Sequence, residues 1–495
     1  MQRLLRIEIA VLLGSLPLLA HVGSPDIFYE GTAGPYRLLV TIRPPQVIPG
    51  VAEVEVRSVS PEVRQVRIVP LPMTGPGARL APVPDVAQPS HEDPQFYTGS
   101  LWLMATGSWQ VRVSVDGGRG PGTVSVPVPA VSTRMLAMQG TLVAVLIPLG
   151  LVLLLGIVSI IGAGAREAQL EPGEEPDRPR MRRARVAMAV TGLVAVGAVW
   201  MGNQWWTSEA GVSQRNLFKP LALRATVENG GTLRLRLEDP GWLNRQTDDL
   251  LPDHNHLMHL YVIRLPAMDR VWHLHPELTA PATFTQALPD MPAGRYALYG
   301  DIVHASGFPD TATTELDLPA IAGHALTGDD SAGEGPRLDE ADYNRNVALL
   351  PDGDRMVWER GPGPLRARQA YEFRFRLEES SGRPAGGMEL YMGMQGHAAI
   401  VSPDGSVFAH IHPAGSVPMA ALSLTTPGLT MPGMATANPG GGLNPHAAHG
   451  MVSGEVPSEI SFPYGFPKPG PYRLFVQVKR AGQVETGVFD TRVEN

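Results

Sequence analysis

The chain has 495 residues, with 54 Gly, 48 Pro, 6% aromatic residues and a formal net charge of −8. It is too long for one ordinary domain, and this composition suits many short strands with frequent turns better than long helical bundles. No basic stripe interrupts the acidic balance, so nucleic-acid binding has no electrostatic footprint. Cys is 0, which excludes disulfides, CxxC redox chemistry, iron–sulfur clusters, c-type haem attachment and a lipobox anchor. A metal would have to be held by His, Met and carboxylates.

Residues 1–20 read as a secretory signal: Arg3 and Arg6 precede a dozen apolar residues, and Ala20 is a small residue at the cleavage point. Leu18 is a poor −3 residue, which keeps an uncleaved anchor as the alternative. Cleavage there would expose His21 as an amino-terminal copper chelator, with His91 as a candidate partner. Over residues 21–133, runs such as YRLLVTI (36–42), VAEVEVRSV (51–59), WQVRVSV (109–115) and TVSVPVP (123–129) alternate apolar and polar positions. Turns intervene at Pro44-Pro45, Pro49-Gly50 and Asp116-Gly117-Gly118. Period-two alternation bounded by turns predicts antiparallel strands, here in an immunoglobulin-like sandwich. The order AGPYRLLVTIRPP, VPLPM, HEDPQFYTGSLWLMATGSWQVRVSVDG resembles the YtkA-like and FixH-like envelope β-sandwiches, related in architecture to the CopC copper carriers, over residues 30–129. That resemblance implies a sandwich fold and a setting of copper trafficking and oxidase maturation.

Residues 141–163 and 186–206 carry no charge and are long enough to cross a bilayer. Trp200, Trp205 and Trp206 suit the headgroup zone at the end of the second run. Between them, residues 164–185 hold Arg166, Arg178, Arg180, Arg182, Arg183 and Arg185, which predicts a cytoplasmic loop and outward-facing flanks. The expected location is a bacterial inner membrane, with soluble modules on the periplasmic side.

Two further stretches look like copies of one module, 211–322 and 339–495, joined by a polar linker at 323–338. TLRLRLED (232–239) matches YEFRFRLEE (371–379), HLYVIRLPAMDRVWHLHP (259–276) matches HAAIVSPDGSVFAHIHP (397–413), and PAGRYALYGDI (292–302) matches PGPYRLFVQV (469–478). Three matches in one order indicate an internal duplication. The fold class expected is mainly β: three immunoglobulin-like β-sandwich modules plus two transmembrane helices. The His-x-His-Pro hairpins also resemble modules of secreted bacterial proteins, a likeness that implies no function.

Asp404-Gly405 marks a hairpin tip. Pairing outward sets Ser402 against Val407, Ala399 against His410 and His397 against His412, so His397, His410 and His412 share one face. His259, His273 and His275 repeat the pattern, with a turn one residue longer that calls for a bulge. His254 and His256 lie nearby. MELYMGMQGH, read as one strand, puts Met388, Met392 and Met394 on one face, and an insertion at 425–455 adds Met431, Met434, His446, His449 and Met451. Thioether suits Cu(I) and imidazole suits Cu(II) or Zn(II), so the mixture favours copper over zinc. Against this stands the bland alternative that each His is a satisfied structural residue and each Met core filler; what weighs against it is retention of all three His positions in both copies. No catalytic motif appears and neither span carries an ionisable residue, so an enzyme or an ion carrier is not expected. The reading is a membrane-anchored protein that sequesters copper or delivers it to a transporter or oxidase-assembly partner. A non-catalytic envelope scaffold is the alternative.

Overall fold

In a computed structural model, the structure describes residues 25–495 except 136–137, 172, 229–230, 244, 344 and 427–455. The expected signal segment 1–20, His21, Met431, Met434, His446, His449 and Met451 lie outside the described residues. The chain is mainly β, built from several sheets, with two long helices.

Residues 25–133 form two sheets around one core. One runs Ile27–Ala33, Tyr36–Arg43, Gly50–Ser58, Phe96–Leu103 and Gln88–Pro89; the other runs Asp85–Val86, Val63–Pro72, Gly107–Gly117 and Gly120–Ala130. The alternation that predicted these strands is the alternation that buries Leu38, Val40 and Ile42 against Val111, Val113 and Val126.

Helix α1 (Gly140–Glu167) and helix α2 (Arg178–Arg215) are both long and apolar enough to cross a membrane. Only a short connection separates them, so five of the six arginines expected in a loop instead open α2. Cations at a helix start oppose its dipole. Asp177 offsets this by capping the end, its carboxylate accepting from the Arg180 amide at 2.8 Å.

The two repeats pack face to face. In the first, His259–Leu265 lies between Arg270–Leu274 and Gly294–His304. In the second, His397–Val401 lies between Phe408–Ile411 and Gly470–Arg480. Alternate residues of each central strand point back into that repeat's own core (Leu260 and Val262; Ala398 and Ile400). The other set, Tyr261, Ile263, Ala399 and Val401, meets across the interface and joins Tyr299, Phe408 and Phe475 in a third core. Tyr299 stacks on Phe408 at 4.3 Å.

Three expectations need correction. The supposed linker 323–338 contains a strand, Ser331–Glu334, that extends the first repeat's sheet beside Arg270–Leu274. Its backbone finds partners there that a solvated linker would take from water. The longer hairpin turn of the first repeat needs no bulge: Ile263 to Leu260 pair with Val271 to Leu274 without a register shift. The extra residue is taken up in the turn, where the Met268 amide donates to Arg264 at 2.8 Å. Finally, MELYMGMQGH is not one strand. Met388–Glu389 is followed by a tight turn bridged from Tyr391 to Met394, so the three methionines diverge.

Near the edge of the second repeat, Glu485 is buried, and burial first, then a hydrogen bond with Asp352, pushes its carboxyl up to about 7. A raised acid binds its proton more tightly folded than unfolded. Its contribution to stability is therefore full below about pH 4.5 and lost as pH rises through about 7. Thermal melts across pH 5–8 will show a decline that Glu485→Gln flattens, and an unchanged slope in the variant would refute this assignment.

Candidate metal centre

The duplicated sequence produces matched positions. His259 pairs with Asp301 as His397 pairs with Gln477. Tyr261 pairs with His273 as Ala399 pairs with His410. The preceding turn matches too: Asp253 and His256 bridge as Tyr391 and Met394 do, and His254 and Met392 both take the left-handed backbone, φ 48° and 50°. Two pairs of matched residues reach across the interface reciprocally. His273 Nδ1 lies 3.0 Å from Gln477 Oε1 of the other repeat, and His410 Nδ1 lies 3.2 Å from Asp301 Oδ2.

This packing overturns the expected grouping of one triad per module. Among the described residues, nitrogens converge in two triads, His254 with His397 and His412, and His259 with His273 and His410. Each takes ligands from both repeats. His275 and His256 adjoin them, with ring centres 3.9 Å apart, and His275 lies 4.6 Å from His273. Rings of the two triads touch, His410 to His412 at 4.5 Å and His397 to His410 at 5.5 Å. All but His256 are buried.

Acceptors around the cluster orient the rings. His254 Nδ1 meets the Met392 carbonyl at 2.8 Å, His259 Nε2 meets the Asp253 carbonyl at 3.1 Å, and His275 Nδ1 meets Asp330 Oδ1 at 3.0 Å. Carbonyl and carboxylate oxygens accept only, so each of these ring nitrogens carries the hydrogen, and its opposite nitrogen presents a lone pair. Gln477 is oriented likewise: its Nε2 donates to Ser331 at 2.9 Å, leaving Oε1 for His273. Outer-shell acceptors that set the tautomer in this way accompany metal-ligating histidines.

Two observations then test whether an ion fits. His259 Nδ1 and His273 Nε2 lie 3.1 Å apart, and both are lone-pair nitrogens by the argument above. Two lone pairs at that distance repel unless a cation lies between them. Bonds of ~2.0–2.1 Å to a common ion would subtend about 100°, near a tetrahedral or square angle. The second observation is that His254 Nε2, His275 Nε2, His410 Nε2 and both nitrogens of His397 are buried without a hydrogen-bond partner among the described residues. Leaving so many polar atoms bare is costly in a closed protein core. At His275 and His397, protons do not fill the gap near neutrality: burial, followed by the neighbouring rings, holds these two, and His259, His273 and His412, well below the usual imidazole pKa. Neutral imidazoles are the form that binds metal.

Two of the described methionines lie in apolar cores. Met394 is buried in the core of the first module and Met388 in that of the second repeat. What Met392 gives the site is its backbone carbonyl, to His254. The residues that sequence reasoning missed are the outer-shell acceptors Asp253, Gln477 and Asp330, and Tyr391, whose hydroxyl donates to the Asp329 carbonyl at 2.7 Å. Asp301 joins them through the observed register, opposite His259. His304 lies apart, paired with Asp249 at 2.8 Å. His91 is exposed in a loop of the first module.

The first module closes the back of the centre. The segment after His412 is pinned to it by Glu30 N to Ala414 O at 2.8 Å and Ser416 N to Phe28 O at 2.9 Å. Helix α3 (Met419–Thr425) then buries Met419 and Leu422 in the first module's core, and Ala420 and Ala421 against Val303 of the first repeat.

Residues 351–495 match a family described as "Domain of unknown function (DUF8832)". No curated protein matches the chain. Similar solved structures include a tetra-tandem repeat from the extending region of a large adhesion protein, at 9% identity, with 90% of this chain and 71% of that chain covered and a TM-score of 0.15. Native Escherichia coli alpha-2-macroglobulin aligns at 8% identity over 96% of this chain and 23% of its own, with a TM-score of 0.20. A putative membrane anchored protein from Corynebacterium diphtheriae aligns at 9% identity over 95% and 96%, with a TM-score of 0.15. At such scores these likenesses carry no argument about fold details or function.

Proposed function

We propose that this chain is a membrane-anchored metal-binding protein that holds two copper ions between its repeats, sequestering them or passing them to a membrane partner such as a transporter or an oxidase-assembly protein. The observation that carries this reading is the set of buried imidazoles whose tautomers are set by outer acceptors and whose free nitrogens converge across the interface. Among the described residues the convergent ligands are imidazoles, which suit copper, zinc or nickel; in the affinity order of first-row divalent ions Cu(II) binds most tightly. Membrane anchoring rests on α1 and α2, and an outward-facing centre rests on the arginines between and beside them. Related architecture to YtkA-like and FixH-like sandwiches remains part of the proposal for residues 30–129. Equilibrium dialysis of the full chain in detergent against Cu(II) and Zn(II), followed by elemental analysis, is expected to give two tightly held ions per chain with copper displacing zinc. No ion above background, in a protein whose melt is cooperative, would favour the scaffold reading and leave the histidines structural.

A further inference from the structure

A cavity of about 90 Å³ opens at the junction of the first module, the segment after α2 and both repeats. A water molecule needs roughly 10–15 Å³ of such space, so the cavity has room for an ion with several waters. Its wall includes His410 and His412, one ligand from each triad. Most of the remaining lining is apolar, including Phe218, Pro129 and Pro309. Two carboxylates also face it, and they differ in what neutralises them. Asp310 is matched by Arg245 at 2.6 Å. Asp301 has no arginine or lysine partner among the described residues; it meets His410 Nδ1 and the Thr311 hydroxyl, the latter at 3.1 Å.

We infer that this cavity is the entrance through which a metal cation reaches the buried centre, with the Asp301 carboxylate as the group that draws it in. The inference rests on the metal-binding reading above. Three features favour a cation over an anion or an apolar ligand. The cavity touches both triads at once, so one route serves both positions. A carboxylate without an arginine or lysine partner stands in its wall, and low-dielectric walls focus such a field on an incoming cation. Asp301 also touches the outer nitrogen of His410, so an ion held at the carboxylate stands one imidazole away from a ligand nitrogen. A hydrated divalent ion would exchange waters for carboxylate oxygen at the mouth before taking up imidazole nitrogen inside.

The test is stopped-flow loading of the metal-free full chain with Cu(II), followed by equilibrium metal content. Pro309→Trp fills the cavity from the first repeat and Pro129→Trp from the first module, so a folding failure of one leaves the other. Either filled variant is expected to keep two ions at equilibrium while loading at least about tenfold more slowly. In the wild type the loading rate falls with ionic strength, and Asp301→Asn flattens that dependence, since steering of this kind is worth roughly 10–10³ in rate and is screened by salt. Loading at the wild-type rate in a folded filled variant, or an unchanged salt dependence in Asp301→Asn, overturns the entrance while leaving the centre intact. A wild-type protein that holds no ion at equilibrium overturns the centre itself.

Discussion

A full-length protein carrying His397→Ala, His410→Ala and His412→Ala together will hold no copper, although five histidines of the cluster remain in the first repeat. The reason is the partition of ligands. One triad keeps only His254, and the other keeps His259 and His273 without His410. His275 is the nearest substitute, with Nε2 unpartnered, but it shares no convergent triad with His259 and His273 among the described residues. The mirror variant, His254→Ala, His259→Ala and His273→Ala, will lose both ions as well. Even outer-shell partners are worth about 10–100-fold in affinity, so removal of direct ligands is expected to cost more than about 100-fold. Metal content by elemental analysis after dialysis checks this, with a thermal melt as the control for folding. One ion retained per chain in either variant would restore independent sites within each repeat. Because each ion spans both repeats, copper will also raise the melting temperature of the wild type, and both triple variants will lose that gain.

The second large effect is expected at Arg473, a fully buried guanidinium in the second repeat. Its Nε and Nη2 donate to Asp490 at 2.7 and 2.6 Å, while Nη1 donates to the carbonyls of Met268 at 2.6 Å and Pro336 at 2.9 Å. One side chain therefore closes an ion pair within its own repeat and holds the hairpin turn of the other. Arg473→Ala leaves Asp490 buried without its cation, and breaking a buried pair in this way costs about 3–5 kcal/mol. Chemical denaturation will show this as an early transition in the second repeat. Replacing the pair together, Arg473→Met with Asp490→Leu, removes the stranded charge but still leaves two carbonyls unmet, each worth roughly 1–3 kcal/mol. The double variant is thus expected to recover only part of the loss. Full recovery would mean that the contacts to Met268 and Pro336 contribute nothing to repeat docking.

Much of the local structure was legible from residue order. Alternation at 36–42 and 109–115 marked strands because a half-buried strand must alternate. Asp404-Gly405 set the hairpin register, and with it the pairing of Ala399 with His410, because a tight turn fixes which residues oppose each other. The same rule found the face shared by His259, His273 and His275. It misled where a motif depended on chain direction rather than pairing. MELYMGMQGH kept a strand-like spelling, yet Gly393, at φ 78°, and Met392, in the left-handed region, turn the chain there. The arginines after residue 177 looked like loop residues because charge, not helix geometry, dominated that reading.

By itself the sequence determined the chemistry on offer: no thiol, a duplicated set of histidines, two apolar runs, and strands that place those histidines on one face of each copy. What only the tertiary structure decided is which histidines meet. Each repeat must bury the outer face of its central strand, and the two solve that need by covering each other. Docking brings His254 to His397 and His412, and His410 to His259 and His273, across as many as 158 positions of chain. No local pattern encodes that distance, because it follows from the complementarity of two folded surfaces rather than from the spacing of residues along either one.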